Sequence, residues 1–133
     1  MSISSTQREQ LVESLRDKEY RDLSVAEHIS TGLAFQIRAM REARGWTQED
    51  LARRAGMQQE RISILENPDA ARPTLATLKR IASAFDVALE VRLVSFSDLV
   101  DWTANLSGAD LVAPSFDDDT RLDRTPAGSA LGG

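Results

Sequence analysis

The sequence predicts a mainly α-helical fold: a five-helix domain that carries one C-terminal β-strand, a short following helix and a disordered acidic tail. Three observations predict it. Apolar residues recur every three or four positions between Leu33 and Phe85, the period of helices with one buried face. The period then falls to two, with Val87, Leu89, Val91 and Leu93 alternating with Ala88, Glu90, Arg92 and Val94, which is a strand signal. Beyond Ser107, Gly, Pro, Ser and Asp mix without any period, and such a segment cannot bury enough apolar surface to order itself.

The elements follow in chain order. Leu11 and Leu15 are spaced for one helix face, and "SVAE" (Ser24 to Glu27) reads as a capping box before Val25 and Ile29, so residues 1–32 form an amphipathic helical extension. Leu33, Ile37 and Met40 line the next helix, with Arg38, Arg41 and Arg44 beside them and Gly45 as its stop. Thr47 caps the following helix together with Asp50, Leu51 and Ala52 face inward, and Gly56 ends it. A third helix runs from about Gln58 to Glu66, with Ile62 and Leu65 on its buried side, and leads into the polar loop "NPDAARP". Thr74 caps a helix striped by Leu75, Leu78, Ile81, Ala82 and Phe85. After the strand, Ser97 caps a short helix holding Leu99, Val100 and Trp102.

Composition bounds the function. With 133 residues, 41% hydrophobic and 28% charged, one core is expected. There is no cysteine, so no disulfide framework or thiolate site exists, and no apolar run approaches the roughly 18 residues that span a bilayer. The N-terminus lacks the basic start and apolar centre of a secretion signal, so a cytoplasmic protein is expected. Formal charge is −5 overall, but it is uneven: residues 1–35 carry 4 basic and 6 acidic side chains, residues 36–92 carry 10 and 8, and residues 93–133 carry 2 and 7. An acidic total argues against coating nucleic acid non-specifically, yet it leaves room for a locally basic face.

Two helices meeting at a tight turn need a small residue at their closest approach, a residue tolerant of positive φ, and apolar anchors on the second helix. Ala52, Gly56, Ile62 and Leu65 supply these. With "RGWTQEDLARRAGMQQERISILEN" and the following "RPTLATLKRIASAF", the chain resembles the phage-repressor/Cro-type (XRE) helix-turn-helix family of DNA-binding proteins, like the lambda repressor. The resemblance covers roughly residues 33–87. It implies that Thr47 and Gln48, at the start of the scaffold helix, approach a phosphate, and that Gln59 reads adenine. On a helical wheel with Ile62 and Leu65 inward, Glu60, Ser63, Ile64 and Asn67 point outward, with Gln58 and Gln59 at the exposed tip. That face would enter the major groove, where Glu60 can accept from cytosine N4 and Ile64 can pack on a thymine methyl. Arg61 projects to the flank, towards phosphate. Arg41 and Glu66 match a family ion pair of structural role. Arg72 matches a loop position near the DNA backbone or a narrow minor groove, or is an ordinary solvated charge.

The implied function is a sequence-specific transcription regulator, a dimeric repressor of an inverted-repeat operator. Residues 88–106 are expected to join two copies, the lone strand pairing with its own copy through Val87, Leu89, Val91 and Leu93 while Leu99 and Trp102 cover them. The alternative is an antitoxin that binds a basic toxin protein and represses its own promoter. Enzyme chemistry is not expected: there is one histidine, His28, on an amphipathic stretch, and no Gly-rich phosphate loop. "DDD" (Asp117 to Asp119) lies in residues 107–133, the acidic tail, so no metal or other cofactor is expected.

Overall fold

Ser4 opens the first helix. Its hydroxyl accepts from the Gln7 N–H at 3.2 Å while the Gln7 side chain accepts from the Ser4 N–H at 2.9 Å, which satisfies two otherwise orphaned donors. Helix α1 spans Ser5–Ser14, α2 Lys18–Ala43, α3 Gln48–Ala55, α4 Gln59–Leu65, α5 Leu75–Phe85 and α6 Phe96–Asn105. This computed structural model describes residues 4–106 and 108–124.

Asp17 caps α2 by accepting from the Glu19 N–H at 3.3 Å. The helix then continues for 26 residues, so the extension and the helix expected from Leu33 are one element. Ser24 is interior to it, because no Gly or Pro breaks the preceding turn, which the Lys18–Asp22 pair spans at 2.9 Å. At the other end the backbone turns at Gly45, φ +69°, and the Trp46 N–H reaches back to the Arg41 carbonyl at 3.1 Å. Gly56, φ +66°, ends α3 in the same way, with Met57 N–H on the Ala52 carbonyl at 2.8 Å. Asp86, φ +57°, ends α5 likewise. Here an aspartate occupies a left-handed position that usually falls to glycine or asparagine.

The core forms where α2, α3, α4 and α5 meet. Ile37, Met40, Leu51, Ala52, Ala55, Ile62, Leu65, Ile81 and Phe85 make one buried cluster, with Trp46, Met57, Val87 and Ala113 packed on its margin. A second layer consists of α1, the N-terminal half of α2, and α6. Leu15 and Val100 are its buried residues, and Arg8 pairs with Asp101 across it at 3.0 Å.

Three expectations are corrected. Among the described residues there is no β-strand: residues 87–95 run without regular structure, with Leu89 and Val91 exposed and Leu93 fully so. A strand requires a ladder partner for its backbone groups, and no second segment of this chain has period two. The acidic segment, expected to be disordered, contains two 3-10 turns at Gly108–Leu111 and Thr120–Asp123. It lies against the domain, with the Gln36 amide donating to the Leu111 carbonyl at 3.2 Å and the Phe116 N–H to the Asp86 carbonyl at 2.9 Å. The expectation for Ser107 and for residues 125–133 falls outside the described residues. Finally, Ser95 rather than Ser97 caps α6, accepting from the Asp98 N–H at 3.2 Å.

Candidate nucleic-acid interface

The start of α3 is held from three sides. Thr47 accepts from the Asp50 N–H at 3.0 Å and its own N–H donates to Asp50 Oδ2 at 2.9 Å. That backbone N–H, together with the Arg53 side chain and the Thr47 hydroxyl, holds the Asp50 carboxyl below its ordinary range. Behind the cap, the Trp46 ring stacks on Phe85 at 5.4 Å, nearly parallel. The Arg54 guanidinium lies over the indole at 4.2 Å, an arrangement that favours a cation on the ring face. Arg44 lies 5.3 Å from both rings and donates to the Phe85 carbonyl at 2.8 Å.

A second tether joins α2 to the end of α4. Arg41 Nε and Nη2 grip the two oxygens of Glu66 at 2.6 and 2.9 Å, and Arg41 Nη1 donates to the Trp46 carbonyl at 2.8 Å. The side chains are 13% and 4% exposed. Burial alone would lower the Arg41 pKa, but the hydrogen bond to Glu66 outweighs it and the net shift is upward. Gln48 joins this network, its amide donating to Glu66 Oε1 at 3.3 Å. The pair is therefore an internal brace between α2, the α2–α3 turn and α4, fully hydrogen-bonded as a buried ion pair must be.

With Ile62 and Leu65 buried, the other side chains of α4 face out. Gln58, Gln59, Glu60, Arg61, Ser63 and Asn67 are exposed, and Ile64 is 52% exposed. Gln58, Glu60, Arg61, Ile64 and Arg72 come together around a cleft of about 420 Å³ closed by Leu65, Ala70 and Pro73. Gln59 and Ser63 lie outside its lining, and Thr47 and Gln48 stand on α3. Several polar groups of this face are already engaged. Arg61 Nη2 donates to Thr77 Oγ1 at 2.9 Å, and Thr74 Oγ1 and Thr77 Oγ1 lie 3.1 Å apart, so Arg61 is tied to the start of α5. Arg72 Nη1 bonds the neighbouring Ala71 carbonyl at 2.8 Å. Asn67 Oδ1 accepts from the Asp69 N–H at 3.0 Å and shapes the loop.

Sequence reasoning passed over Thr77, whose only signal was a polar residue on an otherwise apolar helix stripe. It also gave Trp46 no role, although an aromatic beside a helix cap marks a packed corner. Of the side chains expected to join two copies, Val87 packs on the core margin, Leu99 is half-buried, and Leu89, Val91, Leu93 and Trp102 are exposed. Val25 and Ile29 of α2 line the same open trough as Leu93, Leu99 and Trp102, about 820 Å³ in size.

Among the described residues no helix is long and apolar enough to cross a membrane, and no group of three or more His, Asp or Glu is placed to hold a metal ion. Residues 37–91 match a family model described as helix-turn-helix. No curated protein and no solved structure gives a significant match. Residues 37–91 thus form a helix-turn-helix segment of the phage-repressor/Cro (XRE) type, which supports a DNA-binding transcription regulator.

Proposed function

We propose that this regulator is a cytoplasmic repressor that binds an inverted-repeat operator in duplex DNA as a pair of copies. The observation that carries the reading is the outer face of α4: a row of exposed Gln58, Gln59, Glu60, Ser63 and Asn67 on a helix pinned from behind by Ile62, Leu65 and the Arg41–Glu66 brace. A rigid helix with polar ends pointing outward is what major-groove readout requires. Thr47 and Gln48 would meet the phosphate backbone at the start of α3, whose N–H groups favour an anion. Arg61 and Arg72 would flank the same groove, Arg61 by way of its tie to α5.

Pairing of copies draws its support from the second layer. Exposed Leu93 and Trp102 line the trough together with Val25, Ile29 and Leu99, and Leu89 and Val91 stand in solvent on the segment that leads to it. Projection and hollow lie on one surface, as a two-fold contact between identical chains requires. Val87, on the core margin, would set the position of the segment. The contact is between apolar side chains. A second reading, an antitoxin whose toxin occupies this face, is favoured by its rim, where Asp22, Glu90 and Asp98 outnumber Arg92.

Fluorescence anisotropy with duplexes selected from a random library tests the DNA reading: equal affinity for selected and scrambled duplexes at physiological salt overturns it. Sedimentation equilibrium separates the partners. A dimer at micromolar concentration that Leu93→Lys converts to monomer supports pairing of copies, whereas a monomer that gains mass only with a basic protein encoded beside it supports the antitoxin.

A further inference from the structure

Two side chains on the recognition face do not fit a surface built only to approach phosphates. Glu60 is exposed in the cleft beside α4 and makes no ion pair or hydrogen bond among the described residues. The two arginines nearest in the lining are turned elsewhere, Arg61 to Thr77 and Arg72 to its own loop. A place in the first turn of a helix offsets a carboxylate's charge in part, but bringing it unpaired to a DNA groove costs affinity unless a donor meets it. Ile64 is the other misfit, 52% exposed although Ile62 and Leu65 on the same helix are buried. Residues 60 and 64 are one turn apart on one face, so their side chains are neighbours, and both line the same cleft.

An acceptor without a donor next to an apolar group without a cover has a matching pattern on DNA. In the major groove the N4 amine of cytosine is the donor that a carboxylate takes, and a C5 methyl is the apolar group that an aliphatic side chain takes. We infer that Glu60 and Ile64 together read an exocyclic amine beside a methyl group, with Glu60 accepting from cytosine N4 and Ile64 covering the methyl. Two sources supply that chemistry: a cytosine adjacent to a thymine, or a single 5-methylcytosine, which bears both groups on one ring. Guanine and adenine present N7 and an acceptor or amine without a methyl, and the guanine acceptors O6 and N7 repel the carboxylate. The inference rests on the DNA reading above and names the bases it selects.

The test is selection of duplexes by the full chain from two random libraries, one unmodified and one made with 5-methylcytosine, followed by anisotropy on the enriched duplexes. Expected is a cytosine at one position of each half-site. If an adjacent thymine is required in the unmodified library and methylation adds nothing, the source is the cytosine–thymine step. If methylation of that cytosine tightens binding about tenfold without the thymine, the source is 5-methylcytosine. Either supports the inference. Glu60→Gln should move the preference at that position from cytosine to adenine, whose N6 and N7 suit an amide, and Ile64→Ala should remove the methyl preference, each with a loss of about tenfold on the original duplex. Both residues are exposed, so circular dichroism should show the folds unchanged. A consensus with no cytosine at this position, or one that both variants leave unaltered, overturns the inference while the DNA reading stands. A wild-type chain that enriches no sequence overturns both.

Discussion

The two halves of this molecule bury their apolar residues very differently. In the helix-turn-helix half, α3, α4 and α5 close over the end of α2, with Leu51, Ile62 and Phe85 almost fully buried. In the layer made by α1, the first half of α2 and α6, Tyr20, Leu23, Ile29, Phe96 and Trp102 remain exposed. One ion pair in each half shows the same contrast. Arg41–Glu66 is buried, bidentate and tied to a backbone carbonyl, whereas Arg8–Asp101 is a single contact in solvent, 45% and 60% exposed. The difference teaches that the DNA-binding half is complete within one chain, while the other half presents a surface that a further molecule can cover.

Core truncations probe that difference most strongly. Ile62→Ala should cost about 3–4 kcal/mol in thermal or urea unfolding, because its neighbours on four helices cannot collapse into the space. Leu15→Ala, in the open layer, should cost only about 2 kcal/mol, the low end for a buried leucine, since α1 can settle inward. Equal losses would erase the contrast. Removing one partner of the buried brace comes next: Glu66→Ala should destabilise by about 3 kcal/mol by leaving the Arg41 guanidinium without its carboxylate, the bond to the Trp46 carbonyl being kept, while Arg8→Ala should stay within about 0.5 kcal/mol as an exposed pair does.

Gln59→Ala separates folding from function in the compact half. Its side chain is exposed, so the melting temperature should not move, while affinity for a selected duplex should fall by about 1–3 kcal/mol in anisotropy. A change in stability without a change in affinity would remove Gln59 from the reading face. The smallest expected effect is on the cap of α3. Asp50 has its pKa lowered in the folded chain, first by the Thr47 N–H and then by Arg53 and the Thr47 hydroxyl, from an ordinary value of 3.8. Its contribution is therefore complete above that value and fades as pH falls through and below it, since the unfolded chain takes up the proton first. Melting temperatures measured between pH 5 and pH 3 should fall for the wild type and fall less steeply for Asp50→Ala, which has no carboxyl to protonate; parallel curves would show that the cap does not couple to pH.

How much of this was legible depended on the distance over which each feature is decided. The Thr47–Asp50 cap, the stops at Gly45 and Gly56 and the buried stripe of α5 were all readable in the residues, because each is an interaction within one helical turn or a backbone preference of one residue. The same local reading misplaced a boundary at Ser24, since a capping box matters only where the helix before it has ended. Arg41 and Glu66, 25 positions apart, could be joined beforehand only through resemblance to a family.

What the sequence by itself determined, then, is the set of helices from Thr47 to Phe85 and the face that α4 turns outward, because a 3.6-residue period leaves one side of a short helix apolar and the other polar. The tertiary structure alone decided the rest. Residues 87–94 carry a strand's alternation but lack the second strand that would take up their backbone hydrogen bonds, so the pattern went unrealised. The segment after residue 107 has no period, yet one amide, one backbone N–H and the small Ala113 side chain seat it against α2 and α5. Arg61 and Arg72, alike in sequence as exposed cations, were given different partners by the approach of α5 and the turn of the loop. A side chain's direction depends on what lies across space from it, and no spacing along the chain encodes that.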